Sequence, residues 1–455
     1  MKRMSQRMLF LYGLIGLLVA GLLIFLGRYA IHAGQWAVFP GSPHVYAGGN
    51  MSTGIVTDRT GTVLLDSTDG RVYCEDAELR KATMHLLGDR FGYVSAPVLG
   101  AYADELVGYS KLTGLYRLGE EPITAKLTIS ASAQKAAQAA LAGRKGTVGV
   151  YNYETGEILC AVTAPTYDPN NMPDVEHDVT GAYDGVYVNR FFQTTYVPGS
   201  IFKVVTTLAA LEQLPDAETR TFYCEGSCQI GADTINCNGT HYTQTLEQAL
   251  ANSCNVAFAQ LSVELGEKVL TDYAGKLGVA DAMKFDGIVT PEGNFDLSHA
   301  ADSEIGWSGI GQYTDLVNPC RFMTAMGMIA SGGEGAEPYI MQEVTSGYRA
   351  KTKALSSGLK KKSCEVLASY MRNNVVTMYG QWQFPDLYVC AKSGTAELGE
   401  TQTPHATFSG FIQDANYPLA FIVVVEHGGS GSATCAPIAG QVLRACCAAM
   451  DAERS

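Results

Sequence analysis

Positive charge is in short supply in this chain. Its 455 residues carry 32 Lys and Arg against 45 Asp and Glu, a net charge of −13. A surplus of that sign repels phosphate backbones and anionic headgroups, so it argues against nucleic acid or an anionic membrane surface as a partner. Low-complexity tracts and internal repeats are missing, and no series of small modules is appended at the C-terminal end. What remains is one hydrophobic segment at the start, a modest module after it and one large domain, in a chain long enough for two or three folded units.

Charge is absent altogether from Met8 to Leu26, a stretch of 19 residues. At about 1.5 Å per residue this nearly spans a hydrocarbon core of about 30 Å. Arg28 and Trp36 follow as interfacial anchors. The run exceeds the apolar core of a cleaved signal peptide, about 7–15 residues, and no A-x-A site follows it, so residues 1–33 read as an uncleaved anchor. Lys2, Arg3 and Arg7 before the span predict a cytoplasmic N-terminus, with everything after it outside the membrane.

Residues 34–126 alternate short apolar stretches with glycine and polar turns, including a strand-turn-strand pattern from Gly54 to Leu64. From Leu127 the pattern changes. Ser130 is placed to cap an alanine-rich helix over 131–141, Thr147 to Tyr151 reads as a strand, and Ile158 to Val162 as its return. Leu419 to Glu426 has the composition of a buried strand and Ala436 to Met450 that of a closing helix. Strands at both ends with helices between predict an α/β (α+β) domain over 127–455, its sheet closed by its first and last segments.

Three short motifs lie inside that domain: Ser200-Ile201-Phe202-Lys203, Ser253-Cys254-Asn255 and Lys392-Ser393-Gly394-Thr395. Val197-Pro198-Gly199 and the apolar run from Ile201 to Leu211 put Ser200 at the start of a helix, with Lys203 one turn on along the same face. A serine hydroxyl is a weak nucleophile. An adjacent lysine can take its proton only if burial and neighbouring charge hold the amine neutral part of the time. Together the motifs read as a serine acyl transferase whose base is a lysine.

From about Ser52 onward the chain resembles the class B penicillin-binding proteins, which are peptidoglycan D,D-transpeptidases. The resemblance rests on the three motifs in this order and on the landmarks around them. These are Asn189-Arg190-Phe191, Tyr196-Val197-Pro198-Gly199-Ser200, Tyr167-Asp168-Pro169-Asn170, Ile310-Gly311-Gln312, Pro338-Tyr339, His405-Ala406-Thr407-Phe408-Ser409-Gly410-Phe411 and Ala436-Pro437-Ile438-Ala439. It implies a penicillin-binding transpeptidase or serine β-lactamase-like domain: a five-stranded, mainly antiparallel sheet flanked by helices, with a largely helical subdomain across the cleft. Residues 34–126 would be a small pedestal, although the family's usual Arg-Gly is Thr53-Gly54 here.

Carried over by motif, the resemblance makes Ser200 the nucleophile and Lys203 its general base. Ser253 would relay a proton to the departing D-Ala amine, and Asn255 would bond Lys203 and the substrate amide. Lys392 would keep the cleft electropositive, Ser393 and Thr395 would hold the terminal carboxylate, and Gly394 would let the substrate backbone approach the edge strand. The backbone N–H groups of Ser200 and Thr395 would form the oxyanion hole. Stem peptides and β-lactams are the implied ligands, a SEDS-type membrane glycosyltransferase the implied partner, and no cofactor is required. His405 reads as a polar strand-end residue, because Lys203 fills the base role.

Twelve cysteines raise a separate question. Cys446-Cys447 and several others sit in apolar runs that suit core packing. Cys224, Cys228, Cys237, His241 and Cys254 cluster just before and within the second motif, and Cys237 to His241 has C-x₃-H spacing. Three readings are open: structural zinc on Cys224, Cys237, His241 and Cys254, a Cys224–Cys237 disulfide, and reduced thiols. A catalytic Cys254 lacks the local signature of a cysteine protease.

Other functions fit less well. A β-lactamase or D,D-carboxypeptidase shares the serine and lysine but lets water deacylate. Asn255 stands where class D enzymes usually carry an apolar residue, and no segment matches the class A deacylating glutamate. A β-lactam sensor would need several spans or a cytoplasmic effector, and seven residues before the span supply neither.

Overall fold

The computed structural model describes residues 2–39, 46–47, 50–51, 54–68, 70–110, 112–114, 122–399 and 401–454. The chain starts with helix α1, Lys2–Ala37, in which Gln6–Gly34 is long and apolar enough to cross a membrane and is 0% buried against the rest of the protein. That exposure is what lipid-facing side chains require.

The segment expected as a pedestal follows. Strands β1 (Ile55–Thr57) and β2 (Val63–Asp66) pair antiparallel, and β3 (Val72–Tyr73) extends them. The hairpin turns because Asp58 Oδ1 accepts the N–H groups of Thr60 and Thr62, both at 2.9 Å, while Gly61 takes φ +91°. Thr53, half of the departure from the family's Arg-Gly pair, lies outside the described residues. Strand β4 (Thr124–Leu127) runs parallel to β1, and Met341–Val344 joins its other side. Strand β4 thus ends at Leu127, next to the expected boundary between residues 126 and 127, and Met341–Val344, from far along the chain, completes this sheet.

Helix α2 spans Ala131–Leu141, with Ser130 Oγ accepting the Ala133 N–H. Asp58 Oδ2 accepts the Ala131 N–H at 2.9 Å, which joins the pedestal hairpin to this helix start. Strands β5 (Gly146–Asn152) and β6 (Ile158–Ala164) come next and are buried throughout. After helices α3 (Lys203–Gln213), α4 (Asn255–Leu277, kinked at Gly266), α5 (Pro319–Ala330) and α6 (Lys361–Asn374), the sheet is completed by β7 (Val389–Ala396), β8 (His405–Ile412) and β9 (Leu419–Val425). Its order is β7-β8-β9-β5-β6, and every pairing is antiparallel.

The sheet separates two apolar cores. Val148, Val150, Phe408 and Val423 face helix α7 (Gly431–Arg454) on one side, while Tyr151, Phe411, Ile422 and Val424 join the core of α5 on the other. Burial on both faces explains why β9 reads as a continuous apolar run rather than an alternation. Helix α7 is also long and apolar enough to cross a membrane, but 61% of its apolar stretch is buried against the protein. It begins at Gly431, ahead of the expected Ala436, and continues through Pro437. Its start is held by close packing: a Cβ on Gly431 would lie 2.2 Å from Gly394 O and 2.4 Å from Thr407 O.

Candidate active site

The turn that carries Ser200, the expected nucleophile, is built by glycine and closed by a backbone hydrogen bond. Gly199 has φ +57° and donates its N–H to Gly311 O at 2.8 Å. A tight 3₁₀ turn, Gly199–Phe202, then carries Ser200, and Lys203 is the first residue of α3. The spacing thus brings the two side chains together through a 3₁₀ turn rather than the first turn of an α-helix.

Lys203 is fully buried with four oxygen atoms around its amine: Ser200 Oγ at 3.1 Å, Ser253 O at 2.7 Å, Ser253 Oγ at 3.2 Å and Asn255 Oδ1 at 2.7 Å. Burial pushes its pKa down to about 7, against the opposing pull of the Cys237 and Cys254 thiols. Ser253 holds the left-handed conformation, φ +54°, which is strained for a non-glycine residue. Cys254 caps α4 through its sulfur, which accepts the Ala257 N–H. That fixes Ser253 and Asn255 on either side of it. Lys392 is buried on β7 and reaches Ser253 Oγ at 3.0 Å and Ser393 O at 2.8 Å. Burial, then the charge of Lys203, pushes the Lys392 amine well down as well. Two amines around one hydroxyl make a coupled site in which a proton on one disfavours a proton on the other.

Strand β7 forms the edge of the sheet, and Thr395 lies exposed on it beside the nucleophile turn. Gly394 is also constrained from within the protein. A Cβ there would lie 2.1 Å from Thr407 Oγ1, 2.9 Å from Pro198 O and 3.1 Å from Ile201 Cγ2. The turn that carries Ser200 therefore packs directly onto this position.

Two contacts had no legible signal. Glu426 Oε1 accepts from Arg190 Nε at 2.7 Å and from Tyr196 Oη at 2.8 Å, so it braces the segment leading to Ser200. Tyr379 meets Ser393: the Ser393 N–H donates to Tyr379 Oη at 3.0 Å, and the two hydroxyl oxygens are 3.1 Å apart. His405 begins β8, and its Nδ1 accepts the His427 N–H at 3.1 Å.

The cysteine cluster adjoins this site. Ligand atoms of Cys224, Cys237, His241 and Cys254 all lie within 4.8 Å of one another. Cys237 Sγ is 3.7 Å from Cys254 Sγ and 3.6 Å from His241 Nδ1. All twelve cysteines are free, so the Cys224–Cys237 disulfide is not formed in this structure; the Cys237 sulfur turns toward Cys254, His241 and the Asn255 N–H. Cys228 stands outside the group.

A turn-borne serine beside a buried, helix-borne lysine, next to the edge of a five-stranded antiparallel sheet, is the arrangement of a serine acyl transferase. The chain matches the family described as penicillin binding protein transpeptidase domain over residues 146–444. Peptidoglycan D,D-transpeptidase PbpA of Mycobacterium tuberculosis is 29% identical over 335 residues, 66% of this chain and 67% of that protein. Stage V sporulation protein D of Bacillus subtilis is 28% identical over 315 residues, 64% of this chain and 47% of that protein. The D,D-transpeptidase domain of a peptidoglycan glycosyltransferase from Eggerthella lenta has a TM-score of 0.74 at 26% identity, with 88% of this chain and 98% of that one covered. Penicillin-binding protein A from M. tuberculosis, as a ceftriaxone acyl-enzyme complex, shares the fold with a TM-score of 0.74 at 24% identity, covering 86% and 98%. The chain belongs to the penicillin-binding-protein transpeptidase family, as a class B member and a serine-type D,D-transpeptidase.

Proposed function

We propose that this chain cross-links peptidoglycan stem peptides through an acyl-enzyme on Ser200. The observation that carries this reading is the buried Lys203 amine, 3.1 Å from Ser200 Oγ and pushed down to about 7. At neutral pH part of the population holds a neutral amine, able to take the serine proton as Ser200 attacks the penultimate D-Ala carbonyl. The oxyanion then faces the N–H groups of Ser200 and Thr395. The protonated Lys203 is 3.2 Å from Ser253 Oγ, so Ser253 passes a proton to the leaving D-Ala amine while Asn255 keeps Lys203 oriented. Arrival of the donor carboxylate at Ser393 and Thr395 favours the charged form of Lys392. An acceptor stem-peptide amine then attacks the acyl-enzyme. Labelled penicillin with intact-mass analysis tests the assignment: one adduct on Ser200, lost in Ser200→Ala, is expected, and an adduct elsewhere overturns it.

The proposed organisation is an anchor in residues 1–33, a pedestal in 34–126 and a transpeptidase domain in 127–455, with a cytoplasmic N-terminus supported by Lys2, Arg3 and Arg7. A SEDS-type glycosyltransferase is the proposed membrane partner, tested by co-purification in detergent.

The acyl transfer itself calls for no cofactor, but Cys224, Cys237, His241 and Cys254 suit a structural zinc. Tetrahedral zinc at ordinary Zn–S and Zn–N lengths separates its ligand atoms by about 3.5–3.8 Å, close to the 3.6 and 3.7 Å found here. Three sulfurs also accept backbone N–H groups, from Gly226, Asn255 and Ala257, as thiolate ligands commonly do. The ion would neutralise thiolate charge and fasten the hairpin of Thr221–Cys224 and Tyr242–Thr245 to the start of α4.

A further inference from the structure

A cavity of about 150 Å³ lies where the proposed pedestal meets the large domain. Helix Ala77–Leu87 and the loop after it form one side. The segment that leads to Ser200 and the hairpin of Lys284–Phe285 with Ile288–Val289 form the other. Close packing fixes the hairpin there, since a Cβ on Gly287 would lie 2.6 Å from Pro97 O and 2.7 Å from Ala101 Cβ. No residue of the three motifs lines this space, so it is separate from the acyl-transfer site.

Val94, Pro97, Phe192 and Ile288 give the cavity apolar walls. Asn189 lines it too, but its polar atoms are committed. Its Nδ2 donates to His85 O at 3.0 Å, and its Oδ1 accepts the N–H groups of Phe191 at 3.1 Å and Phe192 at 3.2 Å. Ser95 and Gln193 are exposed, and Tyr187 stacks on the exposed Tyr93 with ring centroids 5.2 Å apart, which puts all three at the opening. His85 is different: it is 4% exposed and has a ring atom to spare. Its Nε2 lies 2.8 Å from Val186 O, and a carbonyl only accepts, so that nitrogen carries the proton. Burial pushes the ring down to about 4, against the pull of the Val186 bond, so it is neutral at ordinary pH. Nδ1 is then a bare acceptor without a partner among the described residues. Nor is it sealed inside the protein, so what it meets is whatever enters the cavity.

A buried water needs about two to four polar partners, and a single acceptor leaves it short. An apolar cavity of about 150 Å³ holds one benzene-sized ring. The group that fits is therefore a flat ring with one hydrogen-bond donor. We propose that this cavity is a binding site for a small phenol or indole, whose O–H or N–H donates to His85 Nδ1 while its ring packs against Phe192 and Ile288.

The test uses the full-length protein in detergent and follows para-fluorophenol and fluorobenzene by fluorine NMR. Both rings also enter detergent, so binding is read as the excess over Val289→Trp, which plugs the opening at a residue 60% exposed. Wild type should bind para-fluorophenol roughly 3- to 10-fold tighter than fluorobenzene, the scale of one net hydrogen bond. His85→Phe keeps a flat ring in the wall but removes the acceptor, and should bring the two compounds to equal affinity. Prior acylation of Ser200 by penicillin should leave binding unchanged. No excess over Val289→Trp, equal affinities in wild type, or loss of binding on acylation each overturns the proposal. Should His85→Phe not fold, the wild-type ratio and Val289→Trp decide.

Discussion

The backbone N–H of Asn255 donates to the sulfur of Cys237 at 3.2 Å. The same residue holds the Lys203 amine through its side chain, at 2.7 Å. The thiol cluster and the acyl-transfer machinery therefore share a residue, and loosening one loosens the other.

From this follows a joint response to metal removal. The purified protein is expected to hold about one zinc per chain by elemental analysis, since three sulfurs and one imidazole form a closed structural site. Chelation should lower the melting temperature and the penicillin acylation rate together, because structural zinc contributes folding free energy directly. A protein that is metal-free as purified, and indifferent to chelator, would falsify the zinc assignment.

Acylation should depend on pH through Lys203. Burial holds this amine near 7, and only its neutral form accepts the Ser200 proton. The rate should fall about tenfold per unit below that pH and level off above it. Stopped-flow acylation across the neutral range reads the profile; a flat one removes Lys203 as base. Lys203→Ala should cost at least about 10²-fold.

Glu426→Ala leaves Arg190, whose side chain is 7% exposed, without its partner. Removing one member of a buried pair costs about 3 kcal/mol or more, to be read by denaturant unfolding, and the acylation rate should drop as Tyr196 loosens. Burial alone would raise the Glu426 pKa, but the bonds to Arg190 and Tyr196 outweigh it and hold it below 4.5. The stability from this group is thus fully present above the ordinary carboxylate range. It is lost as pH falls through the lowered folded value, and the mutant should lack that part of the acid sensitivity.

Gly394→Ala separates two explanations of that glycine. A methyl group would press on Thr407 Oγ1 and Pro198 O, so the substrate-free protein itself should melt at lower temperature. An unchanged melting temperature with weakened acylation would instead restore the idea that glycine serves only substrate approach.

Much of the frame was legible because local and global signals agree. Ser130 caps the alanine-rich helix as its side chain and the following residues predict, and the two runs at Thr147 and Ile158 become neighbouring buried strands. The motif residues converge because each is tied to an element start: Lys203 opens α3 and Asn255 opens α4. What stayed hidden depends on contacts distant in sequence. Met341–Val344 pairs with β4 without any compositional sign of a pedestal strand. Tyr379 ends a π-turn, Val375–Tyr379, which has no residue signature, and Glu426 reads as the last residue of an ordinary strand. The closing helix is expected from Ala436, whereas α7 starts at Gly431, where it packs against Gly394 and Thr407.

The pairing of β5 with β9 sets the order in which the domain can assemble. Synthesis from the N-terminal end makes β5 and β6 long before β9 exists, so their hairpin must wait with one apolar edge unpaired. Only when the last strand arrives can it slide between β5 and β8 and join the two halves of the sheet. Contacts this distant in sequence slow folding and leave sticky edges exposed meanwhile. Truncation before Leu419 should therefore yield not a weakened enzyme but an aggregating chain, even though every residue of the three motifs would still be present.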